Sequence, residues 1–184
     1  GIPFSNLTYS RDGGKTWTTS DPAFSGINEH MVVQRSDGSM MLNARYGKNR
    51  GNQGEENGRV VMVTKDLGKT WNEHHTSRSA LIEPTCMASL HRHIYHVGGE
   101  ERSVLLFSNP NSKTGSHHMT IKVSFDEGET WPEKYWMLLD EGQSRGYSCI
   151  TSIDEKTIGI LYEGSTADMT FQIIPLEDLI NPGR

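Results

Sequence analysis

A chain of 184 residues, 34% hydrophobic and 22% charged, is long enough for one domain with a sizeable core and too apolar for a disordered segment. Its formal charge of −5 argues against a surface for nucleic acid or anionic membrane, and the basic stretch Lys48-Asn49-Arg50 is too short to reverse that. No apolar run reaches the length of a membrane span, and the opening Gly1-Ile2-Pro3-Phe4-Ser5 does not read as a signal peptide.

In chain order, the first element is a turn at Ser10-Arg11-Asp12-Gly13-Gly14-Lys15-Thr16-Trp17. Strands of β-branched, Met and aromatic residues are expected near 30–35 and 39–46, followed by a loop rich in Gly, Asn and charge from Tyr46 to Gly58. Val61 and Val63 then alternate with Val60 and Met62, and lead into Thr64-Lys65-Asp66-Leu67-Gly68-Lys69-Thr70-Trp71. A strand near 103–108 and a second long loop from Ser108 to His118 precede Met119, Ile121, Val123 and Phe125, which alternate on one face. The third copy of the turn, Ser124-Phe125-Asp126-Glu127-Gly128-Glu129-Thr130-Trp131, follows. Strands near 147–152 and 157–163 come next, and a short helix is expected at Pro175–Ile180, where Pro precedes acidic residues.

The repeated turn decides the architecture. Each Asp is placed to accept backbone N–H groups of its own turn, and each Gly supplies positive φ where the strand reverses. The Thr-Trp then opens the next strand, so Trp17, Trp71 and Trp131 are expected to be core anchors, with Trp136 unassigned. Copies start at residues 10, 64 and 124, a spacing slightly above the span of a four-stranded propeller blade. The fold class is therefore all-β, a radial array of antiparallel blades occupying residues 1–184 as a single partial domain. About three blades are too few for a closed propeller of 4–8. The chain thus reads as a fragment whose missing part lies upstream, or as one closed by self-association through bare strand edges.

Cys86 and Cys149 lie far apart in apolar surroundings and read as two buried thiols rather than a disulfide. His91-x-His93-x-x-His96 and His117-His118 lack a Cys or carboxylate to complete a spaced ligand set, and read as wet surface rather than a metal site. From residue type alone, Tyr147 is a strand tyrosine, Arg45 a surface ion pair, and Glu29 and Glu163 are solvated carboxylates.

Four segments change that balance: Asn28-Glu29, the strand Asp37-Gly38-Ser39-Met40-Met41-Leu42-Asn43-Ala44-Arg45, Phe107-Ser108-Asn109-Pro110, and Gly146-Tyr147-Ser148-Cys149 followed by Gly159-Ile160-Leu161-Tyr162-Glu163-Gly164. With the three turns, which are Asp boxes, they resemble the C-terminal half of the bacterial exo-sialidases, glycosidases that release terminal sialic acid. The resemblance runs in order over nearly the whole chain. It implies a six-bladed propeller with its pocket at the blade axis, on the face opposite the boxes. It also implies sialylated glycans as partners, no cofactor or metal, and a secreted or periplasmic location.

Residue by residue, the resemblance matches Tyr147 to a catalytic tyrosine and Glu29 to the acid that activates it. Arg45 matches an arginine of the triad that binds the substrate carboxylate, and Glu163 the carboxylate that buttresses another triad arginine; His30 and His117 are candidates to line the pocket. That other arginine and the family's acid aspartate are not in this chain. Ser116 stands where the third triad arginine is expected, with Lys113 nearby as a point charge. The chemistry suits these residue types, because a neutral phenol approaches an anomeric carbon bearing a carboxylate without like-charge repulsion. The expected activity is therefore hydrolysis by a Tyr nucleophile, weak or absent in this chain alone. A catalytically dead sialic-acid-binding propeller, or an Asp-box scaffold for protein interaction, is the alternative.

Overall fold

The computed structural model describes residues 1–183 and is almost entirely antiparallel β-structure. The first four strands, β1 (Phe4–Ser5), β2 (Thr8–Tyr9), β3 (Thr18–Thr19) and β4 (Phe24–Ser25), form a ribbon in which β1 pairs with β4 and β2 with β3. A four-stranded meander follows, with β5 (Ile27–Gln34), β6 (Met40–Tyr46), β7 (Val60–Thr64) and β8 (Asn72–Glu73) in that order. A second meander contains β9 (Ser89–Val97), β10 (Glu100–Pro110), β11 (Met119–Ser124) and β12 (Trp136–Asp140). The last sheet is β13 (Ser148–Asp154), β14 (Thr157–Tyr162) and β15 (Thr170–Pro175), closed by helix α1 (Leu176–Ile180) with Pro175 at its N-cap.

Strand periodicity sends alternate side chains into different layers. Val61 packs with Met41, Leu105, Phe107 and Trp131 between the two meanders, whereas Val60 and Met62 pack with Leu42, Ala44 and Ile27 on the side of the ribbon. Leu106, Met119, Ile121 and Val123 face the last sheet, meeting Ile150, Ile158, Ile160 and Tyr162. Sheets are therefore stacked face to face with an apolar layer between each neighbouring pair. Phe125 departs from the expected alternation: it lies beyond the end of β11, half-exposed, with its ring against Tyr135.

The first strands of three sheets converge, since β5 contacts β9 and β9 contacts β13. Antiparallel order then fixes two ends. β5 and β13 begin at one end, and the turns joining β7 to β8 and β11 to β12 lie at the other.

The three turns share one bonding pattern. In the second, Thr64 Oγ1 donates to Asp66 Oδ1 at 2.8 Å, the Gly68 N–H donates to Thr64 Oγ1 at 2.8 Å, and Thr70 gives its N–H and hydroxyl to the Asp66 carboxylate at 2.9 and 2.7 Å. The Ser10/Asp12/Thr16 and Ser124/Asp126/Thr130 sets repeat it. Bonds from the Thr16 and Thr70 backbone and hydroxyls hold the Asp12 and Asp66 carboxyls down at about 2. Each turn needs two successive left-handed residues, so Leu67 and Glu127 take φ of 58° and 62° just before Gly68 and Gly128.

Two expectations on burial are corrected here. The tryptophans share a motif but not an environment: Trp131 is 8% exposed and meets Phe107 edge-on, Trp71 is half-buried with its N–H on Asp21 O, and Trp17 is 64% exposed. Trp17 lies on the ribbon, where its indole N–H bonds within its own turn, to Gly14 O. Cys86 is buried but Cys149 is exposed, because it points to the outer face of the last sheet, away from the layer that holds Ile150.

Candidate active site

Glu29 sits on β5 at an irregularity where the register with β6 shifts between Asn28 and His30, and its φ of 41° is left-handed. A bulge of this kind re-aims one side chain out of the strand alternation. Across the ladder Arg45 pairs with Asn28, and its Nη1 donates to Glu29 Oε2 at 2.5 Å. Tyr147, 118 residues from Glu29 in sequence, donates its hydroxyl to Glu29 Oε1 at 2.5 Å. One carboxylate thus receives a phenol on one oxygen and a guanidinium on the other.

Tyr147 is aimed by its neighbours. Gly146 has φ of 93°, and a Cβ there would lie 2.9 Å from Cys86 Sγ, Pro110 Cγ and Ser116 Cβ, so only glycine fits. On the other side, Tyr147 N–H donates to Glu163 Oε2 and the Glu163 N–H to Tyr147 O, both at 3.0 Å. Glu163 therefore clamps the backbone of Tyr147 and, with Met87, Ser148, Cys149, Leu161 and Met169, lines a cavity of about 300 Å³ beside it.

The electrostatics follow from these contacts. Burial pushes the Glu29 carboxyl up, but the bonds from Tyr147 and Arg45 outweigh it and leave it below its ordinary value. The same bond to Glu29, with burial, raises Tyr147, so the phenol keeps its proton at rest. Burial opposes the charge on Arg45, yet Glu29 raises it overall.

Ser116 stands next to the pair without joining it. Its carbonyl accepts the Ser144 N–H at 2.8 Å and Ser144 hydroxyl at 3.1 Å, and its side chain interacts with Cys86; among the described residues no hydrogen bond links it to Glu29, Arg45 or Tyr147. Lys113 donates to Gly54 O at 2.7 Å instead of turning toward Arg45. His30 lines a groove with Asn6, Thr8 and Met40, and His117 bonds to Ser112 and His118, so neither faces Tyr147. The His91/His93/His96 run is not uniformly wet surface either. His93 is fully buried, with Nδ1 on Ser152 Oγ at 2.7 Å, and His91 shares the same hydroxyl at 2.8 Å.

A residue with no sequence signal supports the site from beneath. Arg59 is fully buried, donating Nη1 to Glu83 Oε2 at 2.8 Å and to Cys86 O at 2.7 Å, Nε to Asn43 Oδ1 at 2.6 Å, and Nη2 to Glu29 O at 3.4 Å. Glu83, equally buried, accepts on Oε1 from Tyr46 N and Asn49 Nδ2, both at 2.7 Å. Arginine heading an apolar strand looks like an exposed strand end. Only the folded-back connection between β8 and β9, pinned by Asn57 to the Glu83 backbone, brings Glu83 over it.

Comparisons with known proteins agree with this architecture. The model of the BNR repeat-like domain matches residues 3–160. A sialidase of Bacteroides fragilis (strain YCH46) is 46% identical over 97% of this chain and 32% of its own length, and one of Micromonospora viridifaciens is 35% identical over 86% of this chain and 23% of its own. Among solved structures, the Hadza microbial sialidase Hz136 superposes with a TM-score of 0.87 at 44% identity, covering 97% of this chain and 33% of that one. Trypanosoma rangeli sialidase in complex with sialic acid shares the fold with a TM-score of 0.70 at 23% identity. The chain spans about a third of the length of the Bacteroides relative. With its repeated turns, its stacked meanders and a family match over most of its length, the chain belongs to the BNR repeat-like family and is homologous to the bacterial sialidases.

Proposed function

We propose that this chain is the C-terminal half of a six-bladed exo-α-sialidase propeller, contributing about three blades, the nucleophile Tyr147, its base Glu29 and the carboxylate-binding Arg45. The observation that carries the reading is the phenol–carboxylate–guanidinium contact, assembled at the end of the inner strands away from the repeated turns. Blades outside this chain would supply a further triad arginine, which Glu163 would buttress, and the acid aspartate. A secreted or periplasmic location belongs to the same reading.

The chemistry needs no external reagent besides water. As the bond from the anomeric carbon to the leaving oxygen breaks, the aspartate protonates that oxygen and positive charge develops at the ring. Tyr147 Oη attacks the anomeric carbon while its proton passes to Glu29, which already accepts its hydrogen bond. Water then attacks the glycosyl-tyrosine from the leaving-group side, giving its proton to the aspartate, and the phenolate recovers a proton from Glu29; two inversions retain configuration. The raised Tyr147 is consistent with this timing, since the phenol ionises only as its oxygen bonds to carbon. Arg45 spends one N–H on Glu29 and has donors left for the substrate carboxylate.

The test is hydrolysis of an aryl sialoside by the polypeptide with all six blades. Tyr147→Phe should abolish turnover and leave sialoside binding measurable, and undiminished turnover would refute the nucleophile role. Ser116 favours a second reading, a sialic-acid-binding propeller without turnover, because a serine cannot replace a bidentate arginine. Binding with no hydrolysis by the wild type would select it.

A further inference from the structure

Two histidines unassigned in the reading of the sequence come together with a carboxylate from the neighbouring sheet. His74 and His75 follow β8 at the outer side of one meander, and Glu129 belongs to the repeated turn of the next. Consecutive residues in a strand point to opposite faces. Here the chain leaves β8 into a turn in which the Ser77 N–H bonds to His74 O, and the two rings come to lie 4.5 Å apart, tilted 39°. His74 Nε2 is then 3.2 Å from Glu129 Oε1, and His75 Nδ1 is 3.4 Å from Glu129 Oε2. Among the described residues this is the one group of three or more His, Cys, Asp or Glu whose ligand atoms lie mutually within 4.8 Å.

The His75 Nδ1–Glu129 Oε2 spacing matches a metal face, and all three ligand atoms lie within 4.8 Å of one another, within reach of one small ion. A tetrahedral zinc with bonds of about 2.0–2.1 Å holds its ligand atoms about 3.3–3.4 Å apart. The other nitrogen of His74, Nδ1, lies 2.8 Å from Thr76 Oγ1 and accepts the Thr76 N–H at 3.4 Å, contacts that hold the ring with Nε2 toward Glu129. Arg35 donates to Glu129 Oε1 at 2.5 Å, which orients the carboxylate and leaves Oε2 for coordination. His74 is largely buried, whereas His75 is 64% and Glu129 40% exposed, so an ion can enter from solvent and keep water as its fourth ligand.

We propose that His74, His75 and Glu129 form a site for a divalent borderline metal, zinc above all, that staples the β5–β8 meander to the β9–β12 meander. The imidazole-rich donor set with one carboxylate suits zinc or another late first-row ion and not calcium or magnesium, which take oxygen. Coordination joins residues 55 positions apart in sequence and in different sheets. Its consequence is stability of the sheet stack, independent of any sialidase activity.

The experiment is calorimetric titration of the untagged chain with zinc chloride alone, with melting temperature followed in parallel. One zinc per chain is expected to bind with a dissociation constant at or below about 10 µM, raising the melting temperature reversibly to a chelator. Cobalt(II) bound in its place should show the visible absorption of a four-coordinate ion. His75→Ala and Glu129→Gln, both at partly exposed positions that the fold tolerates, should each weaken binding by at least about tenfold. Absence of saturable binding at 1 mM zinc, or undiminished affinity in either variant, overturns the proposal; the latter would place the ion elsewhere, for example at His117 and His118.

Discussion

Replacing Arg59 by methionine tests how strongly the layer beneath the site depends on one buried ion pair. The substitution keeps the length of the side chain but removes four hydrogen bonds, to Glu83, Cys86 O, Asn43 and Glu29 O, and leaves the Glu83 carboxylate at 0% exposure with its charge uncompensated. Tyr46 N and Asn49 Nδ2 still bond Glu83, so desolvation is only partly relieved. Breaking a buried pair from one side costs about 3–5 kcal/mol. For a chain of this length that corresponds to a fall of roughly 6–20 °C in melting temperature. Urea unfolding of wild type, Arg59→Met and Arg59→Met/Glu83→Gln, followed by tryptophan fluorescence at pH 7, measures the effect. The double variant should recover about half of the loss, since removing both charges costs less than stranding one. A single-variant loss below about 1 kcal/mol, or a double variant less stable than the single, would refute the argument.

Two further outcomes follow. The Asp12 and Asp66 carboxyls are held at about 2 by their turns, so their contribution to stability is present above about pH 4 and lost as pH falls toward 2, and Asp126 is shifted in the same direction; Asp66→Asn should flatten the melting temperature between pH 5 and 2, and an unchanged slope would contradict the assignment. On the proposed reading, Ser116→Arg in the completed propeller should raise kcat/KM for an aryl sialoside by at least about tenfold, because a bidentate charged pair replaces at most one neutral hydrogen bond; an equal or lower value would mean that Ser116 is not the position of the missing clamp.

Exposed apolar residues on the last sheet bear on association. Ile153, Leu161, Phe171 and Ile173 are each at least 40% exposed. A chain carrying such a face is expected to self-associate, and light scattering showing a clean monomer at millimolar concentration would count against it.

Local chemistry was legible in the residues themselves. The three turns form as their Ser/Thr-x-Asp-x-Gly-x-Thr pattern requires because every bond in them closes within a few residues. Strands at 60–64 and 119–124 follow from period-two alternation, which needs only an apolar layer on each side. β9 was missed because His91, His93 and His96 hide its apolar alternation, and that pattern has meaning only once Ser152 lies across from it. The resemblance singled out Tyr147 and Glu29 as residues, but their contact across 118 positions exists because the inner strands converge and because Gly146 leaves room for Ser116 and Cys86. Tertiary packing alone decided that Trp131 is buried while Trp17, in the same motif, is not, and that the connection between β8 and β9 sets Glu83 on Arg59 away from water. Hydrogen bonds within a turn are set by sequence neighbours, whereas burial and long-range charge pairing are set by whichever sheet packs on top, and that is a property of the tertiary fold.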